Sequence, residues 1–184
     1  MIDQFWHYTV SLYKEIPSSV YLSLLIILFS GSALSFSSYK LRRGWRIVGL
    51  LMLTEHIFLL LGSTVFFRKV SDAISGFNFQ PFWSYVAIQR GRDDLITENV
   101  MNTIVFVPVG LLLGIAFRSI NWRQILHSGF IVSVIIEILQ LLLKRGFAEI
   151  DDVIHNTLGC MIGYGIYLQI RVGCEKIFRR QVRT

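Results

Sequence analysis

The chain has 184 residues, of which 53% are hydrophobic and only 16% charged, with a mean hydropathy of +0.56. Soluble domains carry nearer a quarter charged residues, so this composition excludes an ordinary water-soluble enzyme or binding module and points to one integral membrane domain. The formal charge of +6 and a pI of about 9.6 do not call for nucleic acid, because the basic residues sit in short loops between apolar runs, as membrane topology demands.

Residues 1 to 18, with Phe5, Trp6, Tyr8 and Tyr13, read as an interfacial segment. They lack a basic n-region, so the first apolar run, Ser19 to Tyr39, is expected to be a retained helix and not a removed signal peptide. Lys40, Arg42, Arg43 and Arg46 form a basic loop before a second span, Trp45 to Phe67, which holds Glu55-His56 near mid-depth. Such a pair is tolerated in a membrane only against protein or water; its plainest role is a hydrogen-bonded contact facing the bundle, and its sharper one a proton relay or a part of the main site. Arg68 to Thr97 is the longest polar connection, and its Phe77 to Trp83 stretch mixes aromatics with Asn, Gln and Pro, as a loop lying in the interface would.

The third span leads from Glu98 and Asn102 to Phe117, with Pro108 inside it and Gly110 and Gly114 on one helix face. The fourth is Gln124 to Leu143 and the fifth about Val153 to Ile170, with Gly159 and Gly163 repeating the small-residue spacing. The expected fold is therefore an all-α membrane bundle of about five transmembrane helices. It divides into an N-terminal segment and extra helix (residues 1–44), a core (45–170) and a basic tail (171–184). Cys160 and Cys174 form no CxxC pair, so neither a disulfide nor a thiolate metal site is expected, and no cofactor. Counting Lys and Arg on alternate sides gives eleven against seven, which favours an outside N-terminus and a cytoplasmic C-terminus.

That topology gathers Asn102, Glu137, Gln140, Arg145, Asp151, Asp152, His155 and Asn156 at one end of the bundle, in the outer leaflet zone. Ser133, Glu137, Gln140 and Lys144 lie on one stripe of the fourth span, and Asp152, Asn156 and Gly159 on a stripe of the fifth. A short connection makes the two helices antiparallel neighbours, so the stripes can meet. Asp151-Asp152 could equally cap the fifth span, with Arg145 pairing to one of them, and Glu137, Gln140 and Asn156 could be interhelical glue. His155 taken alone is more often a satisfied polar residue than a ligand.

The series Asn102-Thr-Ile-Val-Phe106-Val-Pro108-Val-Gly110, Glu137-Ile-Leu-Gln140, Arg145, Ile150-Asp151-Asp152-Val-Ile-His155-Asn156-Thr-Leu-Gly159 and Gly163 resembles the signature of the VanZ-like family. Thr64 to Arg68 and Asn78 to Phe82 are similar to its pattern too, and the resemblance covers about Trp45 to Ile170. It implies a small polytopic bacterial membrane protein of a family named for a member linked to teicoplanin resistance. Asn102, Glu137, Gln140, Arg145, Asp151, Asp152 and Asn156 are then the ligand-binding candidates.

Two functions fit these residues. One is a non-enzymatic extracytoplasmic site for an amphiphile, either a lipid-linked cell-wall precursor or a lipoglycopeptide, with Arg145 as the fork for a carboxylate or phosphate. The other is an intramembrane hydrolase or transferase, with Glu137 as general base and His155 as acid, or with Glu137, Asp151 and Asp152 holding a hard cation. The bilayer is the expected partner and nucleic acid is not; oligomeric state is open.

Overall fold

The computed structural model describes residues 42–68 and 76–181. The interfacial segment and the Ser19 to Tyr39 span lie outside them. The described elements, in order, are α1 (Arg42–Leu61), continued by a wider π turn (Gly62–Phe66), β1 (Phe77–Asn78), α2 (Trp83–Gln89), α3 (Asp94–Ala116), α4 (Trp122–Leu142), β2 (Ala148–Glu149) and α5 (Ile150–Gln181). Among the described residues three stretches are long and apolar enough to cross a membrane: Arg46–Phe66, Asp94–Ala116 and Trp122–Leu142. The expected fifth span lies within α5, which is less apolar than these three and continues through Ile170 into the basic tail without a break.

Helix α4 shows why this chain needs lipid around it. Its inward stripe is polar and buried, with Ser133 at 0%, Glu137 at 5% and Gln140 at 5% exposure, whereas Ile131, Ile135, Ile138 and Leu142 are 48–70% exposed on the outward one. In water that arrangement is inverted; in a bilayer the exposed isoleucines are solvated and the polar groups hidden.

The centre of the bundle is the packing of α3 along α5. A Cβ on Gly110 would run into the Cys160 carbonyl, one on Gly159 into the Thr103 carbonyl, and one on Gly163 into the Val107 carbonyl. The register rises together on both helices, so they run parallel with their backbones in contact, as small residues allow. The expected Gly110/Gly114 face is thus occupied by α5, with the Tyr167 ring against Gly114. Helix α4 runs antiparallel beside α5. Helix α1 packs antiparallel on α3, with Gly49 against Ile115 and Ala116.

Short-range chemistry closes the end of the bundle where α3 finishes. Asn121 and Gln124 form a reciprocal capping box that starts α4, and the Tyr164 hydroxyl donates to the Ile120 carbonyl at 2.6 Å. At mid-depth, His56 hydrogen-bonds the Val105 carbonyl at 2.9 Å, next to the Ile104 carbonyl that Pro108 deprives of its helical donor. His56 is therefore a helix-packing contact, in line with its plainest reading.

The opposite end, called the mouth here, holds α1's last turns and the starts of α3 and α5. It contains more structure than the sequence signalled. Phe77–Asn78 pairs in parallel with Ala148–Glu149, and the expected interfacial loop turns into α2 at Trp83.

Candidate functional site

The predicted stripes of α4 and α5 do meet. Asn156 donates its amide to Ser133 Oγ at 2.8 Å, and one turn nearer the mouth Asp152 feels the charge of Glu137. Asn102 joins from α3, donating Nδ2 to Asp152 Oδ1 at 2.7 Å. Glu137 accepts the Glu149 backbone N–H at 3.0 Å, which fastens the α4–α5 connection over the seam. Asn102, Glu137, Asp152 and Asn156 thus form one polar column between three helices.

Gln140 turns elsewhere. Its amide donates to the Thr64 carbonyl at 3.2 Å, in the π turn of α1, whose wider ring spacing displaces carbonyls from the regular ladder. Arg145 does not pair with Asp151 or Asp152: its Nη1 donates to the Arg68 carbonyl, and its Nε is buried without a partner. Arg68 in turn lays its guanidinium over Gly146 and acts by its charge on Glu137, Glu149 and Asp152. The two arginines therefore form a cationic rim.

Asp151 has a different task from its neighbour. It is 1% exposed, accepts the Phe82 N–H at 2.5 Å on one oxygen, and takes the Ser84 N–H at 2.9 Å and hydroxyl at 2.6 Å on the other. Instead of capping its own helix, it supplies the missing acceptors at the start of α2. Neither Asp151 nor His155 is free to reach a ligand. His155 donates Nδ1–H to the Asp151 carbonyl at 2.7 Å, which leaves Nε2 to accept from the Tyr85 hydroxyl at 2.9 Å. In the alternative of a cation held by Glu137, Asp151 and Asp152, Asp151 is turned away from the other two, with both oxygens taken by Phe82 and Ser84. Among the described residues no three His, Cys, Asp or Glu side chains are placed to hold a metal ion.

Sequence reasoning passed over Ser84, Asn99, Tyr85 and Trp83. Asn99 donates to Ser84 Oγ at 3.1 Å, and Trp83 Nε1 donates to Glu149 Oε2 at 2.9 Å. Together they tie α2 to α3 and to β2, just ahead of α5. A local signal existed, since Pro81 two residues before an apolar, aromatic run is a helix-start pattern. The partners, nearly seventy residues away, left no local trace. Phe77, Phe79 and Phe82 remain 57–73% exposed on the same loop, at the level where the spans end.

Electrostatics follow from burial. Asp152, one residue before the Val153 to Ile170 run, is pushed up to about 8, first by burial and then by the charges of Glu137 and Glu98. Burial, with Glu98 adding to it, also raises the Glu149 carboxyl above its ordinary range.

Comparison with known proteins places this geometry. The family model VanZ/LLP1 matches residues 19–172, so the match includes Glu55-His56 and extends upstream of Trp45, where the resemblance was expected to begin. Protein VanZ of Enterococcus faecium is 36% identical over 70 residues, 38% of this chain and 44% of that protein, so the alignment spans less than half of the relative. No solved structure matches. The family match covers most of the sequence, and the chain belongs to the VanZ/LLP1 family.

Proposed function

We propose that this chain is a multi-pass membrane protein, with its N-terminus outside and its C-terminus cytoplasmic, that binds the head of an amphiphilic or lipid-linked ligand at its extracytoplasmic mouth. A cell-envelope precursor or a lipoglycopeptide is the ligand class, and the outcome is a contribution to teicoplanin-type resistance or envelope homeostasis. Similarity to Protein VanZ supports the resistance role. The observation that carries the binding reading is the column of Asn102, Glu137, Asp152 and Asn156 beneath Arg145, whose buried Nε has no partner. Glue between helices does not need two carboxyls and an arginine left apart.

The proximity of Glu137 to Asp152 favours one further reading, an acid/base hydrolase or transferase in which Asp152 donates and Glu137 accepts a proton. One experiment addresses both. Wild type and Glu137→Gln are expressed at equal membrane levels in a susceptible host, and teicoplanin susceptibility and turnover of lipid-linked precursor are measured. Wild type is expected to lower susceptibility without converting precursor, and Glu137→Gln to restore susceptibility. Precursor conversion that Glu137→Gln abolishes selects the enzyme; full resistance in Glu137→Gln removes the column from the function.

A further inference from the structure

The mouth holds carboxyls and arginines that form no ion pair with one another, although Arg68 acts by its charge on Glu137, Glu149 and Asp152. Asp152 and Glu137 accept neutral donors, from the Asn102 amide and the Glu149 backbone, while Arg145 spends Nη1 on a carbonyl. Among the described residues the ion pair that forms, Arg92 with Asp94, lies on the exposed surface. Carboxyls taken from water without an ion-pair partner carry a desolvation cost, met at Asp152 by holding its proton more tightly, that a bound cation would offset, so a site holding both signs apart is built for something that brings both. The orphaned atoms give the order of the signs. Asn156, 5% exposed, keeps a buried Oδ1 without a donor; it sits one turn below Asp152 and is bonded to Ser133, one turn below Glu137. Acceptors therefore lie at the inner end of the column, and the unpartnered guanidinium donor at its rim.

We infer that the mouth recognises a zwitterionic head group: a primary ammonium against Glu137 and Asp152, above Asn156, with its phosphate or carboxylate held by Arg145 beside Arg68. This rests on the amphiphile reading above and names the head that the site takes. A primary ammonium offers three N–H donors to acceptors that need them, and a trimethylated ammonium of the same charge offers none. The same chemistry is present in an ethanolamine phospholipid of the bilayer and in a free small zwitterion.

The test uses the purified full chain in detergent, titrated with dioleoyl phosphatidylethanolamine, dioleoyl phosphatidylcholine and water-soluble phosphoethanolamine, with bound ligand counted by native mass spectrometry. Phosphatidylethanolamine is expected to bind about tenfold more tightly than phosphatidylcholine, the scale of one lost charge-assisted hydrogen bond. Glu137→Gln is expected to erase that preference while keeping residual binding, and Arg145→Gln to weaken both lipids alike. Asp152→Asn gives the same reading as Glu137→Gln should the latter fail to fold. Displacement of the lipid by phosphoethanolamine identifies a free zwitterion as the source; lipid binding that phosphoethanolamine cannot displace identifies the bilayer, and either supports the chemistry. Equal binding of the two lipids overturns the head-group inference and leaves the amphiphile reading standing. Binding of neither lipid nor phosphoethanolamine overturns both.

Discussion

Helices α3 and α5 are held together in two ways along one interface. Around Gly110, Gly159 and Gly163 the backbones touch and contact is purely steric; at the mouth, one to two turns away, the same helices are joined by Asn102 and Asp152. The glycine region tolerates no added atom and uses no charge. Among the described residues the mouth and the polar column below it hold two of the three buried side-chain polar atoms found without a partner, Arg145 Nε and Asn156 Oδ1; the third, Thr157 Oγ1, lies deeper on α5, where that helix passes Gly129. One region fixes the helices so that the other can hold polar groups in place without their being fully satisfied. Rigid support of this kind is what a preorganised site requires.

That division of labour predicts where damage will be greatest. Gly110→Val places two methyl groups and a Cβ into the Cys160 carbonyl, and neither backbone can withdraw without separating α3 from α5. The expected loss is about 3 kcal/mol or more, at the top of the range for overpacking, read as loss of monodisperse protein in detergent and of the cooperative unfolding transition. If Gly110→Val unfolds like wild type, the glycine contact is not the support described and the comparison fails.

Asp151→Ala should come next. It leaves the Phe82 and Ser84 N–H groups and the Ser84 hydroxyl without their acceptor in a buried place, at an expected cost of about 2–3 kcal/mol. The loss should be local. Hydrogen exchange is expected to rise across residues 76–89 and to stay unchanged in α3 below Asn102; uniform acceleration along α3 would mean that the mouth also supports the glycine contact.

How much of this was legible in the sequence depended on distance along the chain. The stripe of Ser133, Glu137 and Gln140, and the antiparallel stripe carrying Asp152 and Asn156, follow from helical spacing and a short connection, both local properties. The parallel α3–α5 contact was half legible: the glycine spacing marked a close-packing face but not its occupant, because two elements, α4 and β2, separate the two helices in sequence and neither fixes how they pack. The tie from Asp151 to Phe82 and Ser84 was invisible, since two aspartates at a helix start look like that helix's own cap. So was the β1–β2 pairing, because two residues per strand give no periodicity to read. Arg145 was expected to seek a carboxylate and found a carbonyl, since Arg68 is brought to it by α1, whose place in the bundle no local pattern fixes.

The smallest predicted effect concerns strain. The non-glycine residues with left-handed backbone among those described, Phe82 at φ 61° and Lys144 at φ 54°, both lie at the mouth and not at the glycine contact. Lys144 follows the end of α4, where its own N–H donates to the Leu141 carbonyl and the Arg145 N–H to the Gln140 carbonyl at 2.7 Å, a helix ending that normally uses glycine. A side chain there costs about 1 kcal/mol. Lys144→Gly is therefore expected to raise stability by up to that amount, partly offset by the greater freedom of glycine in the unfolded chain, and to shift the unfolding midpoint upward without changing exchange in α3. A lowered midpoint would mean that the lysine side chain stabilises the rim through its charge more than its backbone strains it, and that the mouth holds a third working cation beside Arg68 and Arg145.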